Sequence, residues 1–354
     1  MKRTAIVYSP RYLVHDTGPS HPESPRRLKV IMEEINRGQL LRHEECSLVK
    51  PRYASLKELE LVHNPKYISF IRKLSESDGG ILDEETETIA SPGSFRTAQL
   101  AAGGALKAVE QVMNGNFRNA FVLARPPGHH ADSSHAFGFC IFNNVALAAQ
   151  HLRKRFGLNR ILILDLDSHH GNGTQEIFYD TNEVLYVSLH EDPSEFPQTG
   201  FIDEIGEKQG LGFTVNIPFP FRTGDPSYWK AVKTIVVPIA RQYKPEFILI
   251  SAGFDGYYRD IIGELSLSAQ IFLRVFQAFL NLADYACEGR MVATLEGGYC
   301  LRFLRKIVPA IIRQMAGLNI KVHGKRPILD PSTERKAEKV IEKVRKIQSG
   351  FWEL

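Results

Sequence analysis

Residues 160–175 constrain the fold more than any other stretch of the sequence. They begin with an unbroken apolar run, continue into acidic and imidazole side chains, and end in a Gly-Asn-Gly turn. Apolar runs without alternation are typical of strands buried on both faces of a parallel sheet. Because side chains alternate along an extended chain, Asp165, Asp167 and His169 are predicted to project to one side. The stretch therefore predicts a buried strand whose carboxyl end carries candidate metal ligands, although Asp and Asn could instead end the strand and cap the next helix.

Apolar runs of the same kind recur along the chain and alternate with helical patterns, such as that of residues 268–287. This alternation predicts an α/β fold with a mainly parallel central sheet and helices on both faces. No internal repeat or linker divides the sequence, so residues 1–354 are predicted to form one domain. Residues 332–348 are predicted to form an amphipathic helix that packs on this domain, with a second subunit as the alternative. The predicted strands are residues 5–8, 120–124, 160–165, 184–189, 213–217, 247–251 and 291–295.

Composition argues against several classes of protein. The net charge is only +4 for 354 residues, and no basic cluster precedes the C-terminal tail, so no nucleic-acid partner is expected. No apolar run approaches membrane-spanning length, and the N-terminus lacks a signal-peptide core, so we expect no membrane association and a cytoplasmic location. The scattered cysteines, without a Cys-x-x-Cys pair, fit a reducing compartment.

Other predicted strands also end in residues that carry chemistry. Each of these residues alone has a plain structural explanation, such as a helix cap or a core tyrosine. The carboxyl ends of parallel strands, however, meet at one edge of a sheet, where α/β proteins place their sites. We therefore expect the following residues to converge: the paired His129 and His130, Asp255, Tyr299 after a Gly-Gly pair, and residues 188–190.

Asp167, His169 and Asp255 would form a three-ligand metal site that leaves a position open for water, as catalytic metals require. Two carboxylates balance the charge of a divalent ion, and the mixed donors suit zinc but also iron(II), cobalt or manganese. Metal binding lowers the pKa of a bound water towards ~7, which makes attack feasible at neutral pH. The sequence therefore predicts a hydrolytic metal site.

The attacking water also needs a base, and the paired histidines are the candidates. A carboxylate partner favours the imidazolium form, whereas a neutral amide leaves a histidine nearer its ordinary pKa. If Asp165 contacts His129 and Asn172 contacts His130, then His130 is the better general base and later acid, and His129 is chiefly an electrostatic helper. Tyr299 could donate a hydrogen bond to the oxyanion, an interaction whose loss costs about 3 to 4 kcal/mol.

Together these motifs resemble the zinc-dependent histone deacetylase superfamily, which also contains acetylpolyamine amidohydrolases and acetoin-utilisation proteins. The motifs are Pro-Pro-Gly-His129-His130, Gly138-Phe139-Cys140, Asp165-Leu-Asp167-Ser-His169-His170-Gly-Asn172-Gly-Thr-Gln, Ser251-Ala-Gly-Phe-Asp255 and Glu296-Gly-Gly-Tyr299. Their order argues against a chance match. The resemblance implies an arginase-like α/β fold and hydrolysis of an acetamide to amine and acetate. The substrate would be an acetylated lysine peptide or protein, or an acetylated polyamine. The motifs leave open whether the chain forms a homo-oligomer.

The resemblance also implies cofactors and residue roles. One catalytic Zn2+, with Fe2+ or Co2+ as alternatives, would be held by Asp167, His169 and Asp255. A structural K+ would be held by Asp165, the Ser188 hydroxyl, and the carbonyls of Asp167, His169 and Leu189. Catalysis would involve His129, His130, Tyr299, Asp165 and Asn172. The substrate tunnel would be lined by Gly138, Phe139, Phe196, Ile262, His21 and Glu87, and Arg27 would lie near the acetate exit.

Some residues differ between branches of this family or depart from its usual motifs, and they bear on the substrate and on the branch that the chain resembles. Asn172 and the His-Pro-Glu loop at residues 21–23 make the chain more similar to the class II and bacterial-type branch. Ser168 replaces a commoner Val or Leu, but alternation points it away from the metal and predicts little effect. Ile262 stands near the place of a gatekeeping glutamate in polyamine-selective relatives, which argues against polyamine selectivity. An acidic rim would nevertheless attract cationic substrates, unless it is ordinary solvated loop charge; its residues are Glu191, Asp192 and Glu195.

Two interpretations of another class compete with this one. A two-metal phosphoesterase or ureohydrolase would suit the Asp-x-Asp-x-His-His motif but would leave Tyr299 and the paired histidines unexplained. A non-catalytic acetyl-lysine reader would not need the ligands, base and tyrosine that are all present.

Overall fold

The central sheet has eight strands, all parallel, in the order β2-β1-β5-β10-β9-β6-β7-β8. The computed structural model describes residues 2–320, 322 and 324–354. The parallel α/β fold predicted from the sequence is therefore confirmed. The strands of this sheet are β1 Lys2–Val7, β2 Cys46–Val49, β5 Phe117–Val122, β6 Ile161–Asp165, β7 Val184–Glu191, β8 Thr214–Phe219, β9 Phe247–Ala252 and β10 Met291–Leu295.

Strand β6 lies inside this sheet, between β9 and β7, and is buried along its entire length. Its neighbours β7 and β9 are also buried throughout, which is why their sequences show no polar alternation. Asp165, the last residue of β6, is paired with Ser188 of β7 on one side and with Ser251 of β9 on the other. This register brings the segments that follow the three strands to the same edge of the sheet.

Helices cover both faces of the sheet and complete a single domain. Helix α4 begins at Ser94, and Gly93 occupies its N-cap with a φ of 90°. A π-helical turn, Val232–Val236, joins α7 to α8. The helices are α1 Arg26–Arg37, α2 Leu56–Leu59, α3 Pro65–Glu76, α4 Ser94–Met113, α5 Asn144–Phe156, α6 Asn172–Phe178, α7 Asp225–Ala231, α8 Val237–Tyr243, α9 Ala269–Cys287, α10 Leu301–Met315 and α11 Pro331–Gln348. No helix within the described residues is long and apolar enough to cross a membrane.

A separate antiparallel hairpin stands beside the main sheet. It consists of β3 Gly80–Asp83 and β4 Thr88–Ala90. These strands, of four and three residues, are too short to leave a pattern in the sequence. The hairpin matters because its tip, residues 84–87, reaches the candidate site.

The C-terminal helix α11 packs on the domain to which it belongs. Its apolar face buries Ala337, Ile341 and Val344. The Glu334 carboxylate accepts hydrogen bonds from the Gly224 N–H at 2.8 Å and from the Ser227 hydroxyl at 2.6 Å. The helix therefore covers α7 and the edge of the sheet near β8.

Candidate active site

A cavity of about 510 Å3 opens at the carboxyl edge of the central strands. Its wall contains every residue predicted for the substrate tunnel: His21, Glu87, Gly138, Phe139, Phe196 and Ile262. Five residues predicted for metal binding or catalysis also reach it, namely His129, His130, Asp167, His169 and Tyr299. The loops that follow β5, β6 and β10 therefore converge on one cavity, as the strand ends predicted.

The side chains of Asp167, His169 and Asp255 lie together, the first two in the cavity wall and Asp255 fully buried beside them. One ligand atom from each lies within 4.8 Å of the others. The Nδ1 of His169 is 3.2 Å from Oδ1 of Asp167 and 3.5 Å from Oδ2 of Asp255. Asp255 Oδ2 is buried and has no hydrogen-bond partner among the described residues. An unpartnered buried carboxylate oxygen beside an imidazole nitrogen fits the donor set of a metal site better than a finished hydrogen-bond network.

Backbone amides hold the remaining carboxylate oxygens of this set. The Gly297 N–H donates to Asp167 Oδ2 at 2.8 Å, and the Ser168 N–H donates to Asp255 Oδ1 at 2.8 Å. A Cβ at Gly297 would lie 2.2 Å from Asp255 Oδ2, so only glycine allows this approach. The two carboxylates are thereby oriented with Asp167 Oδ1 and Asp255 Oδ2 towards the His169 ring.

The charges of the set also fit a divalent cation. Burial and the neighbouring charge of Asp167 raise the pKa of Asp255. Burial alone would raise the pKa of Asp167 as well, but His129 and His169 lower it. A cation between the two carboxylates would remove their mutual repulsion. Oxygen and imidazole donors in this number suit zinc and the neighbouring transition metals.

The paired histidines have different partners, as the sequence predicted. His129 Nδ1 lies 3.0 Å from Asp165 Oδ2, and His130 Nδ1 lies 2.7 Å from Asn172 Oδ1. The Asn172 amide nitrogen faces the His130 carbonyl at 3.4 Å, which orients its oxygen towards the ring. His130 Nδ1 must therefore donate, and its Nε2 carries the lone pair.

The pKa values of the two rings are shifted in opposite directions. Burial lowers the pKa of His129, but the Asp165 and Asp167 carboxylates overcome it and raise the pKa to about 10. Burial and the positive charge of His129 hold the pKa of His130 well below its ordinary value. Near pH 7 His129 is an imidazolium and His130 is neutral, the state that a general base needs.

Glu296 supports the histidine pair and was not assigned a role from the sequence. Its Oε2 accepts hydrogen bonds from the Gly128 N–H at 2.6 Å and the His129 N–H at 3.2 Å. Burial raises its pKa to about 7, although His129 acts in the opposite direction. Its place in the Glu-Gly-Gly-Tyr motif was a signal that could have identified it.

The aromatic wall depends on a tight turn at residues 137–140. Gly138 and Phe139 have φ values of 53° and 69°, and Phe137 and Cys140 exchange both backbone hydrogen bonds. Two positive φ values at the centre of such a pairing are typical of a type I′ hairpin turn. A Cβ at Gly138 would lie 2.2 Å from the His130 ring, so glycine is required there. The turn places the Phe139 ring at 4.6 Å from that of His21.

The β3–β4 hairpin holds this turn in place. The Gly138 N–H donates to the Thr86 hydroxyl at 3.0 Å, and the Phe139 N–H donates to the Thr88 hydroxyl at 2.9 Å. The two threonine hydroxyls are 2.8 Å apart and so form one chain of hydrogen bonds. On the opposite side, the Phe196 ring stacks on that of Phe137 with centroids 5.1 Å apart.

Tyr299 is held on the Gly-Gly segment by contacts on two sides. Asp260 Oδ2 accepts hydrogen bonds from the Tyr299 and Cys300 N–H groups, both at 2.8 Å. The fully buried Arg27 donates to the carbonyls of Gly298, at 2.7 Å, and of Glu296. Its guanidinium also lies 5.0 Å from the centre of the Tyr299 ring. Sequence reasoning missed Asp260, whose contact spans 39 residues.

The residues assigned to a potassium site lie behind the histidine pair. Asp165 is completely buried and accepts from the Asp167 N–H at 3.1 Å through its Oδ1. His190 Nε2 faces the Gly200 carbonyl at 2.9 Å, so its Nδ1 must accept the proton of the Ser188 hydroxyl, 2.8 Å away. The lone pairs of Ser188 are thereby left for a cation. Oxygen donors of this type suit a hard cation.

The fold and site define a class: a parallel α/β protein with a carboxylate and imidazole cluster at the carboxyl edge of its sheet. The family model described as "Histone deacetylase domain" matches residues 21–315. The chain belongs to the histone deacetylase family, as the sequence motifs predicted.

Relatives of similar sequence cover this chain almost completely. The chain is 38% identical to a "Probable deacetylase" of Archaeoglobus fulgidus over 99% of this chain and 98% of that protein. It is 35% identical to Histone deacetylase 15 of Arabidopsis thaliana, over 99% of this chain and 62% of that protein. It is 37% identical to Polyamine deacetylase HDAC10 of Homo sapiens, over 89% of this chain but only 48% of that protein. A crystal structure of the HDA15 HD domain superposes with a TM-score of 0.89 and 33% identity, covering 99% of this chain and 95% of the other.

Proposed function

We propose that the protein is a metal-dependent amidohydrolase that removes acetyl groups from acetylated amines, with Asp167, His169 and Asp255 holding one zinc or a similar divalent ion. The observation that carries the proposal is the buried, unpartnered Asp255 Oδ2, 3.5 Å from His169 Nδ1, with the His130 ring 6.3 Å from the His169 ring. When bound, such an ion polarises the substrate carbonyl and lowers the pKa of a coordinated water towards about 7.

The histidine pair supplies the proton transfers. His130 Nε2 takes the proton of the attacking water as general base and later gives it to the leaving amine. The Nδ1–H of His130 remains bonded to Asn172 throughout, at 2.7 Å, which fixes the ring. His129 keeps its own proton on the Asp165 side and stabilises negative charge that develops beside it.

Tyr299 and Arg27 complete the proposed site. The Tyr299 hydroxyl donates a hydrogen bond to the oxygen that becomes an oxyanion. Burial raises the pKa of Tyr299 well above its ordinary value, which keeps this hydroxyl protonated. Arg27 supports the Gly-Gly segment from behind and gives the product acetate a cationic group near its exit.

Metal removal and one pair of variants test the proposal. A chelator should abolish release of acetate, and added Zn2+ should restore it. Because His130 is the proposed base, His130→Ala should lower kcat by about 100- to 10000-fold. His135 is a suitable control, because it is mostly exposed and lies outside the cavity wall. Activity that survives the chelator would argue against the metal. A His130→Ala enzyme as active as His135→Ala would argue against His130 as the general base.

The mouth of the cavity favours a cationic substrate. Within the described residues its wall includes no lysine or arginine, whereas seven acidic side chains surround the proposed metal ligands: Glu84, Glu85, Glu87, Glu191, Asp192, Glu195 and Glu264. Such a mouth attracts positive charge and repels anions. We therefore propose two substrate classes, acetyl-lysine within basic peptides and acetylated polyamines; one relative is named a polyamine deacetylase.

Kinetics on paired substrates distinguish the two classes. The apolar Ile262 in the wall favours the methylene stem of acetyl-lysine over a second ammonium group at that position. We expect kcat/KM for a basic acetyl-lysine peptide to exceed that for acetylspermidine and for an acidic acetyl-lysine peptide. Equal values for the basic and acidic peptides would exclude a role of the acidic mouth, and a preference for acetylspermidine would favour the polyamine class.

A further inference from the structure

Glu191 lies against the Nε2 edge of the His169 ring, whereas Asp167 and Asp255 lie against its Nδ1 edge. The distance from Glu191 Oε1 to His169 Nε2 is 3.5 Å, within the range of an ion pair. Glu191 is the last residue of β7 and is only 6% exposed. Two different edges of one imidazole are therefore occupied by carboxylates, and the proposed mechanism uses those on one edge only.

The Glu191 carboxylate is held rigidly by its other oxygen. Oε2 accepts hydrogen bonds from the Ser168 hydroxyl and from the Glu264 N–H, the latter at 2.7 Å. The Glu191 N–H in turn donates to the Ser168 carbonyl at 2.8 Å. These contacts leave Oε1 as the oxygen that faces His169.

Ser168 connects this carboxylate to the proposed metal ligands. Its side chain donates to Glu191, and its backbone N–H donates to Asp255 Oδ1 at 2.8 Å. The sequence predicted little effect of a serine at this position. The contacts instead give it a role, because a Val or Leu side chain could not hold the Glu191 carboxylate by a hydrogen bond.

An imidazole that binds a metal through one nitrogen carries its proton on the other. A carboxylate at the protonated nitrogen fixes the tautomer and the orientation of the ring, and it makes the ligand more basic. We propose, on the basis of the metal site assigned under the proposed function, that Glu191 is a positioning residue for His169. It holds the Nε2–H so that Nδ1 faces the metal, and Ser168 and the Glu264 backbone hold Glu191.

Metal affinity measured without substrate tests this role. Apoprotein is titrated with Co2+ in competition with a chelator, and the visible absorption of the bound Co2+ reports ligand geometry. Glu191→Leu removes the acceptor and should weaken Co2+ binding by about 10- to 100-fold and change the spectrum. Glu191→Gln keeps an acceptor oxygen at this place and should lose less Co2+ affinity than Glu191→Leu. Ser168→Ala frees the carboxylate and should also give a loss, smaller than that of Glu191→Leu.

Glu195→Gln is the matched control, because Glu195 also contributes a carboxylate to the cavity mouth but has no contact with His169. It should bind Co2+ as the unmodified protein does. Melting temperatures of the apoproteins show whether each variant is folded. If Glu191→Leu does not fold, Glu191→Gln and Ser168→Ala decide the question.

The outcomes separate this inference from the function on which it rests. If the unmodified protein binds no Co2+, the proposed metal site itself is wrong. If it binds Co2+, and the folded Glu191 and Ser168 variants bind it equally well with the same spectrum, the positioning role is overturned. A higher KM with unchanged Co2+ affinity would likewise overturn it and would indicate that Glu191 contacts the substrate instead.

Discussion

The replacement Gly138→Ala should damage both stability and activity through a single methyl group. The new Cβ would lie 2.2 Å from Cδ2 and 2.6 Å from Cγ of the His130 ring. These distances are far shorter than a carbon–carbon contact of about 3.5 to 4.0 Å. Either the ring or the turn must therefore move, and movement of the ring would break the hydrogen bond to Asn172.

The expected size of the effect follows from two contributions. Alanine at the φ of 53° observed for Gly138 costs about 1 kcal/mol or somewhat more. The overlap with His130 adds about 1 to 3 kcal/mol, as overpacking of a dense interior does. The free energy of unfolding should therefore fall by about 2 to 4 kcal/mol. Because a displacement of about 1 Å of a reacting group can cost 100-fold, kcat should fall by about that factor.

Gly115→Ala separates the two contributions. Gly115 has a φ of 70°, but a Cβ there would meet no atom within 4 Å. This variant should lose only the conformational contribution, about 1 kcal/mol, and keep its activity. Urea unfolding and deacetylation kinetics of the two variants provide the comparison. Equal losses of stability, with kcat unchanged in Gly138→Ala, would refute the contact between this turn and the proposed base.

Further predictions concern the Tyr299 hydroxyl, the Asp260 contact that holds Tyr299, and the pH dependence of stability through His15. Tyr299→Phe should lower kcat by about 100- to 1000-fold while Co2+ affinity stays unchanged, which kinetics and titration would show. Asp260→Ala should lower kcat in the unmodified protein but should cost little more in the Tyr299→Phe background, because both changes act on the same hydroxyl; a double-mutant cycle measures this. Burial lowers the pKa of His15 from 6.5 to about 3. Between these pH values His15 binds a proton in the unfolded chain but not in the folded chain. His15 therefore contributes stability that is lost as the pH falls from about 6.5 towards 3, by about 2 kcal/mol between pH 7 and pH 5. His15→Gln should remove this part of the acid sensitivity in urea titrations, and an unchanged pH dependence would contradict it.

The sequence predicted the main sheet well because burial on both faces leaves an unmistakable pattern. Strand β10 was predicted at its observed bounds, and β6 within one residue. Strand β2 was missed because it lies at the edge of the sheet and has only four residues, part of them exposed. The hairpin β3–β4 was missed because its strands have only four and three residues.

The site was predictable where it follows directly from strand ends. The contacts of His129 with Asp165 and of His130 with Asn172 were a hypothesis from residue types, and both pairs lie within hydrogen-bonding distance. Contacts between loops were not predictable, because no periodicity links Glu191 to Ser168 or Asp260 to Tyr299. Such contacts depend on the three-dimensional course of loops, which local sequence does not encode.

The way in which Thr86 and Thr88 carry the Gly138–Phe139 turn has a consequence for how such a protein can diversify. The floor of the site grows from the ends of buried strands, where any insertion would disrupt the core. One aromatic wall instead rests on the hydroxyls of a small hairpin outside the central sheet. Its exposed tip residues Glu84, Glu85 and Glu87 can accept changes in charge at little cost to the core. Exchange of Glu84, Glu85 and Glu87 between relatives, with Thr86 kept, should therefore alter the acylated amines that are accepted, while the hydrolytic groups beneath keep their arrangement.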